Sequence, residues 1–172
     1  MAHPDLDPAV LDARLAAAKE SSYRLATATT AEKDAALEEI ARLLRERRAD
    51  IVAANEGDLE TGRGAGLAEG LLDRLRLDER RIGALADAVL DVVRLEDPIG
   101  ETVSGRSLPS GVRIDQIRVP LGVVGAIYEA RPNVTIDIAA LALKSGNAVV
   151  LRGGTAAERT NRVLVQLLRD AY

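Results

Sequence analysis

Apolar residues recur at helical spacing through the first half of the chain. Ala36, Leu37, Ile40, Leu43 and Leu44 fall on one helix face. The strongest stripe is Ile82, Leu85, Ala86, Val89, Leu90 and Val93, with Asp78 placed to cap its start. Asp7-Pro8 pairs a capping residue with proline at the first helical position and predicts an alanine-rich helix from about 8 to 28. Thr29 and Glu32 have capping-box spacing for the next helix. A further helical stretch covers about 49 to 63 and enters Gly62-Arg63-Gly64-Ala65-Gly66. That run follows a helix rather than a strand and lacks the Lys-Ser/Thr of a phosphate loop, so it reads as a flexible connector. The charged helix faces, Arg42, Arg45, Arg47 and Arg48 among them, read as solvated surface.

After Asp97-Pro98 the period changes. Residues 99 to 107 and 112 to 119 are β-prone runs around the turn Leu108-Pro109-Ser110-Gly111, and they predict a hairpin or long two-stranded ribbon. Leu121 to Tyr128 is a continuous apolar run of strand length, which suits a strand covered on both faces. A helix over about 134 to 144 follows, closed by Gly146, then a second buried-type strand over 148 to 151 and a last helix from about 156. The β-α-β-α order implies a parallel layer, and ligands of such sheets bind beyond the carboxyl ends of the strands. Those ends carry Glu129-Ala130-Arg131-Pro132-Asn133 and Arg152-Gly153-Gly154-Thr155.

Composition narrows the chemistry. The 172 residues are 47% hydrophobic and 29% charged, enough apolar material for a core, but hold three Tyr, no Phe and no Trp. Stacking platforms for nucleic-acid bases are therefore absent, and a net charge of −4 argues against a nucleic-acid binder. There is no cysteine, hence no thiolate nucleophile, thiolate metal site or disulfide. The one histidine, His3, reads as a solvated terminal residue, so no metal is expected. No apolar run approaches the roughly 20 residues of a membrane span. The acidic N-terminus lacks a signal-peptide pattern, which makes the cytoplasm the expected location. Residues 119 to 172 carry six basic against four acidic side chains, the preceding 118 carry 17 against 23, and the asymmetry favours an anion near the sheet. Two arginines and a glycine pair beside a helix N-terminus could hold a phosphate. The alternative is that Arg131 and Arg152 pair with neighbouring acids and the glycines only terminate strands. No GxGxxG follows the first strand.

Two parallel strands fall short of an ordinary sheet, and the last helix, with Val163, Leu164, Leu167 and Leu168, has little left to pack on. The expectation is half a domain.

The run Val119-Pro-Leu-Gly-Val-Val-Gly-Ala-Ile-Tyr-Glu-Ala-Arg131, continued by Pro132-Asn133-Val134-Thr135 and then by Leu143-Lys-Ser-Gly-Asn-Ala-Val-Val-Leu-Arg-Gly-Gly154, resembles the γ-glutamyl phosphate reductases (glutamate-5-semialdehyde dehydrogenases), a family of the aldehyde dehydrogenase superfamily. Ala53-Ala54-Asn55, Leu71 to Leu75 and Asp97-Pro98-Ile99-Gly100 share the likeness. The resemblance implies an α/β fold: N-terminal helices, a β-ribbon and the first β-α-β-α of an aldehyde-dehydrogenase-like parallel sheet, incomplete. Residues 1–98 would be the helical part of the cofactor-binding domain, 99–119 a bridging or oligomerisation ribbon and 120–172 the truncated start of the NADP-binding sheet.

It further implies reduction of L-glutamate 5-phosphate by NADPH to the semialdehyde and phosphate in proline biosynthesis, through a cysteine thiolate that attacks the acyl phosphate. Asn133 would donate to the developing oxyanion. Arg152 would meet the adenosine ribose or its 2′-phosphate, Gly153 and Gly154 would admit the cofactor, and Tyr128, Glu129 and Arg131 would line the cleft between cofactor and substrate. Arg131 is the substrate-binding candidate, and a structural role for it stays open. The intact protein would be a homo-oligomer. Lacking the nucleophile, this chain would be inactive alone; the alternatives are a non-catalytic binding or oligomerisation module and another member of the superfamily.

Overall fold

The computed structural model describes residues 7–171, so His3 lies outside the described residues. Five helices come first: α1 (Pro8–Leu25), α2 (Thr30–Glu46), α3 (Arg48–Gly64), α4 (Glu69–Leu75) and α5 (Glu79–Arg94). Asp7 caps α1 by accepting the Ala9 N–H at 2.9 Å, with Pro8 in the first turn. This helix stops at Leu25, short of the expected 28, because Thr29 must be extended to cap α2. The capping box is complete: Thr29 accepts from the Glu32 N–H, and the Glu32 carboxylate accepts from the Thr29 N–H at 2.7 Å.

Leu37, Ile40, Ala41, Leu43 and Leu44 of α2 are buried and face Ile82, Leu85, Ala86 and Val89 of α5. Only Arg47 separates α2 from α3. The connector reading is corrected in part. Gly62, Arg63 and Gly64 are helical, Gly62 is buried where a Cβ would press on Leu67 and Leu72, and the turn comes at Gly66, whose φ is +74°. The short α4 went unread. Its Leu72 and Leu75 close a small second cluster with Leu59 and Ala157.

Two strands, β1 (Thr102–Ser107) and β2 (Arg113–Ile117), form an antiparallel ribbon, exposed at every residue and irregular between Thr102 and Ser104. Then come β3 (Val123–Tyr128), α6 (Asn133–Lys144), β4 (Ala148–Gly153), a 3₁₀ turn (Thr155–Ala157) and α7 (Glu158–Asp170). β3 and β4 pair in parallel, Val123 opposite Ala148 through Tyr128 opposite Gly153, with α6 as the crossover.

The Lys-Ser-Gly-Asn motif ends α6 and fixes the sheet. Gly146 takes φ +69° as the C′ residue, and the Asn147 N–H returns to the Ala142 carbonyl at 2.8 Å. The Asn147 side chain then accepts the Gly122 N–H at 2.9 Å just ahead of β3.

Two expectations fail. α7 has a full set of partners: Leu164, Leu167 and Leu168 are buried in the same core as α2, α5 and α6, and α7 lies along α3. β3 is not covered on both faces. Tyr128 and its alternates turn toward α6, whereas Ile127, on the other face, is 80% exposed.

Two lysines are buried, against the usual rule for this residue. Lys144 donates to Asp34 at 2.6 Å and to the Val93 carbonyl at 2.9 Å, binding the end of α6 to α2 and α5. Lys33 is ion-paired to Asp97, which also accepts from Thr30 at 2.8 Å and from the Ile99 N–H at 3.0 Å. Burial pushes the Asp97 carboxyl up, but the hydrogen bonds from Lys33, the Ile99 amide and Thr30 outweigh it and hold the carboxyl below the ordinary carboxylate range. A carboxyl lowered by folding stabilises above its unfolded pKa and loses that contribution as pH falls through its folded value. Asp97→Asn is therefore expected to cost about 2 kcal/mol at pH 7, with the difference from the parent closing below about pH 4 in urea unfolding.

Candidate functional site at the carboxyl edge of the parallel strands

The turns that follow β3 and β4 lie against each other. A Cβ on Gly154 would stand 3.2–3.3 Å from the Glu129 backbone, tighter than ordinary contact, so a side chain there would push the second turn off the first by a few tenths of an ångström. The Cβ position of Gly153 is filled by the Asn161 amide and the Tyr128 ring. The chain's own packing excludes a side chain at 153 and disfavours one at 154. Tyr128, Glu129, Gly153 and Gly154 come together at this edge, and Arg152 stands opposite Ile127 on the open face.

Arg152, Arg131 and Glu129 are exposed, and no ion pair of the described residues includes them. The alternative in which both arginines are absorbed by neighbouring acids is not what the structure shows. Asn133 opens α6 and donates one amide hydrogen to Asp137 at 2.9 Å, leaving the second free. Burial pushes the Asp137 carboxyl up, and the Asn133 hydrogen bond only partly offsets this.

Several N–H groups at the helix starts are already taken within the chain. The Arg159 and Thr160 N–H groups of α7 are taken by the Asp58 carboxylate, at 3.2 and 2.8 Å. At α6 the Val134 and Thr135 N–H groups return to the Arg131 and Pro132 carbonyls.

Asp58 is 3% exposed and comes from α3, as a cap supplied from a distant helix; its second bond to Thr160, from the hydroxyl, is 2.7 Å. One turn earlier, Asn55 donates to the Leu75 carbonyl and to Thr160 and accepts the Leu77 N–H at 2.7 Å. These bonds explain why Ala53-Ala54-Asn55 and Leu71 to Leu75 form one unit, and they seat the start of α7 beneath the Arg152–Thr155 turn. In the sequence Asn55 stands out only within the family likeness and Asp58 not at all, since polar positions on a charged helix look like surface.

A family model, the aldehyde dehydrogenase family, matches residues 1–172. The chain belongs to the aldehyde dehydrogenase family. Within it, the chain is 62% identical over 161 residues to the gamma-glutamyl phosphate reductase of Clavibacter michiganensis subsp. michiganensis, covering 94% of this chain and 37% of that protein. The solved gamma-glutamyl phosphate reductase of Thermotoga maritima superposes with a TM-score of 0.90 at 43% identity, over 94% of this chain and 39% of the other. That of Saccharomyces cerevisiae gives 0.89 at 32% identity, over 97% and 42%. The chain thus spans less than half the length of each of these relatives.

Proposed function

We propose that this chain supplies part of the dinucleotide-binding domain of a γ-glutamyl phosphate reductase, which reduces L-glutamate 5-phosphate to the semialdehyde and phosphate. The observation that carries this reading is the pair of turns at one strand edge, bearing two exposed arginines, on a chain 62% identical to a named reductase. The edge fits NADPH: among the described residues its arginines make no ion pair, its outer face is open, and the Glu129 carboxylate can accept from ribose hydroxyls. NADPH, when bound, supplies the hydride.

The residues of this chain bind and orient. Arg152 holds a ribose or 2′-phosphate oxygen, and Arg131 attracts the acyl phosphate. The free hydrogen of Asn133 meets the acyl carbonyl oxygen, which would gain charge as a thiolate adds to that carbon and lose it again as phosphate leaves. The thiolate nucleophile comes from outside these residues, which include no cysteine. The reaction belongs to the cytoplasm. Among the described residues no helix is long and apolar enough to cross a membrane.

The test joins this chain to the remainder of the Clavibacter michiganensis reductase. NADPH oxidation that requires γ-glutamyl phosphate is expected of the chimera and not of the 172 residues alone. Turnover by the chain alone, or an inert chimera that is folded, would count against the reading. A subunit-contact role for the ribbon is favoured by one observation, the exposure of Val103, Ile114 and Ile117 along it. Light scattering of the chimera is expected to give a dimer or larger.

A further inference from the structure

Thr135 lies on the first turn of α6 and is wholly buried, yet its hydroxyl touches two polar side chains from different elements. It is 2.6 Å from the Tyr128 hydroxyl at the end of β3 and 2.9 Å from Asn161 Oδ1 on α7. The hydrogens can be ordered along this chain. An amide oxygen only accepts, so the Thr135 hydroxyl donates to Asn161, and its own oxygen accepts the proton of Tyr128. The consequence falls on the far side of Asn161. With Oδ1 held inward by a buried donor, Nδ2 is turned out over Gly153, into the space a side chain at 153 would fill. Among the described residues Nδ2 has no hydrogen-bond partner, and Asn161 is only half-buried. Two N–H donors with a fixed direction therefore lie at the carboxyl end of β4, over Gly153 and on the sheet face opposite to that of Arg152.

We infer that Asn161 contacts the cofactor: its amide donates to an acceptor oxygen of the dinucleotide's ribose-phosphate portion. Thr135, with Tyr128 behind it, is the positioning residue that aims this amide. Tyr128 thereby has a role other than lining the cleft, because its proton is committed to Thr135 and is not offered to a ligand. The inference rests on the dinucleotide reading above, and it accounts for glycine at 153 and a buried threonine at 135 with one geometry.

The experiment measures NADPH affinity of the chimera by nucleotide fluorescence, alongside its melting temperature. Asn161→Ala and Thr135→Val are each expected to weaken NADPH about 3- to 10-fold, the range of one hydrogen bond. Thr135→Ser, which keeps the hydroxyl, is expected to bind as the parent does. Asn161→Asp keeps the shape and removes the donors, so it carries the test should the alanine variant melt early. Parental affinity in both Asn161 variants overturns the contact. A Thr135→Ser variant as weak as Thr135→Val overturns the aiming role. A parent chimera that binds NADPH but never reduces γ-glutamyl phosphate defeats the proposed reaction and leaves the contact standing. One that binds no NADPH overturns both.

Discussion

In the chimera, Asn133→Ala is expected to lower kcat about 10²-fold, with the KM for γ-glutamyl phosphate changed far less. Losing one preorganised donor to an oxyanion costs about 3 kcal/mol in the transition state, because the interaction strengthens only as charge develops. The geometry supports a fixed donor. Asn133 starts α6, and one of its amide hydrogens is held by Asp137 at 2.9 Å, so the other has a set direction. Steady-state kinetics on purified variant and parent decide it. A kcat within threefold of the parent would remove Asn133 from the reaction.

Asp58→Ala is expected to destabilise the fold by about 4 kcal/mol, read as a shift of the denaturant midpoint. The carboxylate is buried and accepts from the Arg159 N–H, the Thr160 N–H and the Thr160 hydroxyl. Truncation strands the two buried Thr160 donors, and each buried orphan costs about 1–3 kcal/mol. α7 has no side-chain cap of its own to compensate. Asp58→Asn keeps the acceptor on a neutral side chain and is expected to lose about half as much. A midpoint unmoved by Asp58→Ala would show that α7 is seated by its apolar face alone.

α2 and α5 were legible because each carries its signals locally: a capping box or cap, then a stripe at helical spacing. The ribbon and both parallel strands followed from turn residues and apolar runs. α4 was not legible, since seven residues are too few to show a period. The burial of Lys33, Lys144, Asn55 and Asp58 was not legible, for a different reason. Their side chains read as solvent-facing, and what buries them are partners supplied by distant parts of the chain: Thr160, for Asp58, stands 102 positions away.

The last helix was misjudged on the same ground. Its apolar stripe looked unpartnered in sequence order, yet the early helices fold back around it. At the candidate site, strand-then-turn spacing marked the two turns that hold Glu129, Arg131, Asn133 and Arg152, while Tyr128 and the individual roles are what the family resemblance implies. The physical work of Gly153 and Gly154 became visible only when the Asn161 amide, the Tyr128 ring and the Glu129 backbone were in place around them.

The most direct test of the central claim is a crystal structure of the chimera with NADP⁺ bound. The nucleotide is expected against the Arg152–Gly154 turn, with the Arg152 guanidinium and Asn161 Nδ2 within hydrogen-bond distance of its ribose-phosphate oxygens. A nucleotide seated elsewhere, with that turn facing bulk water, would contradict the account.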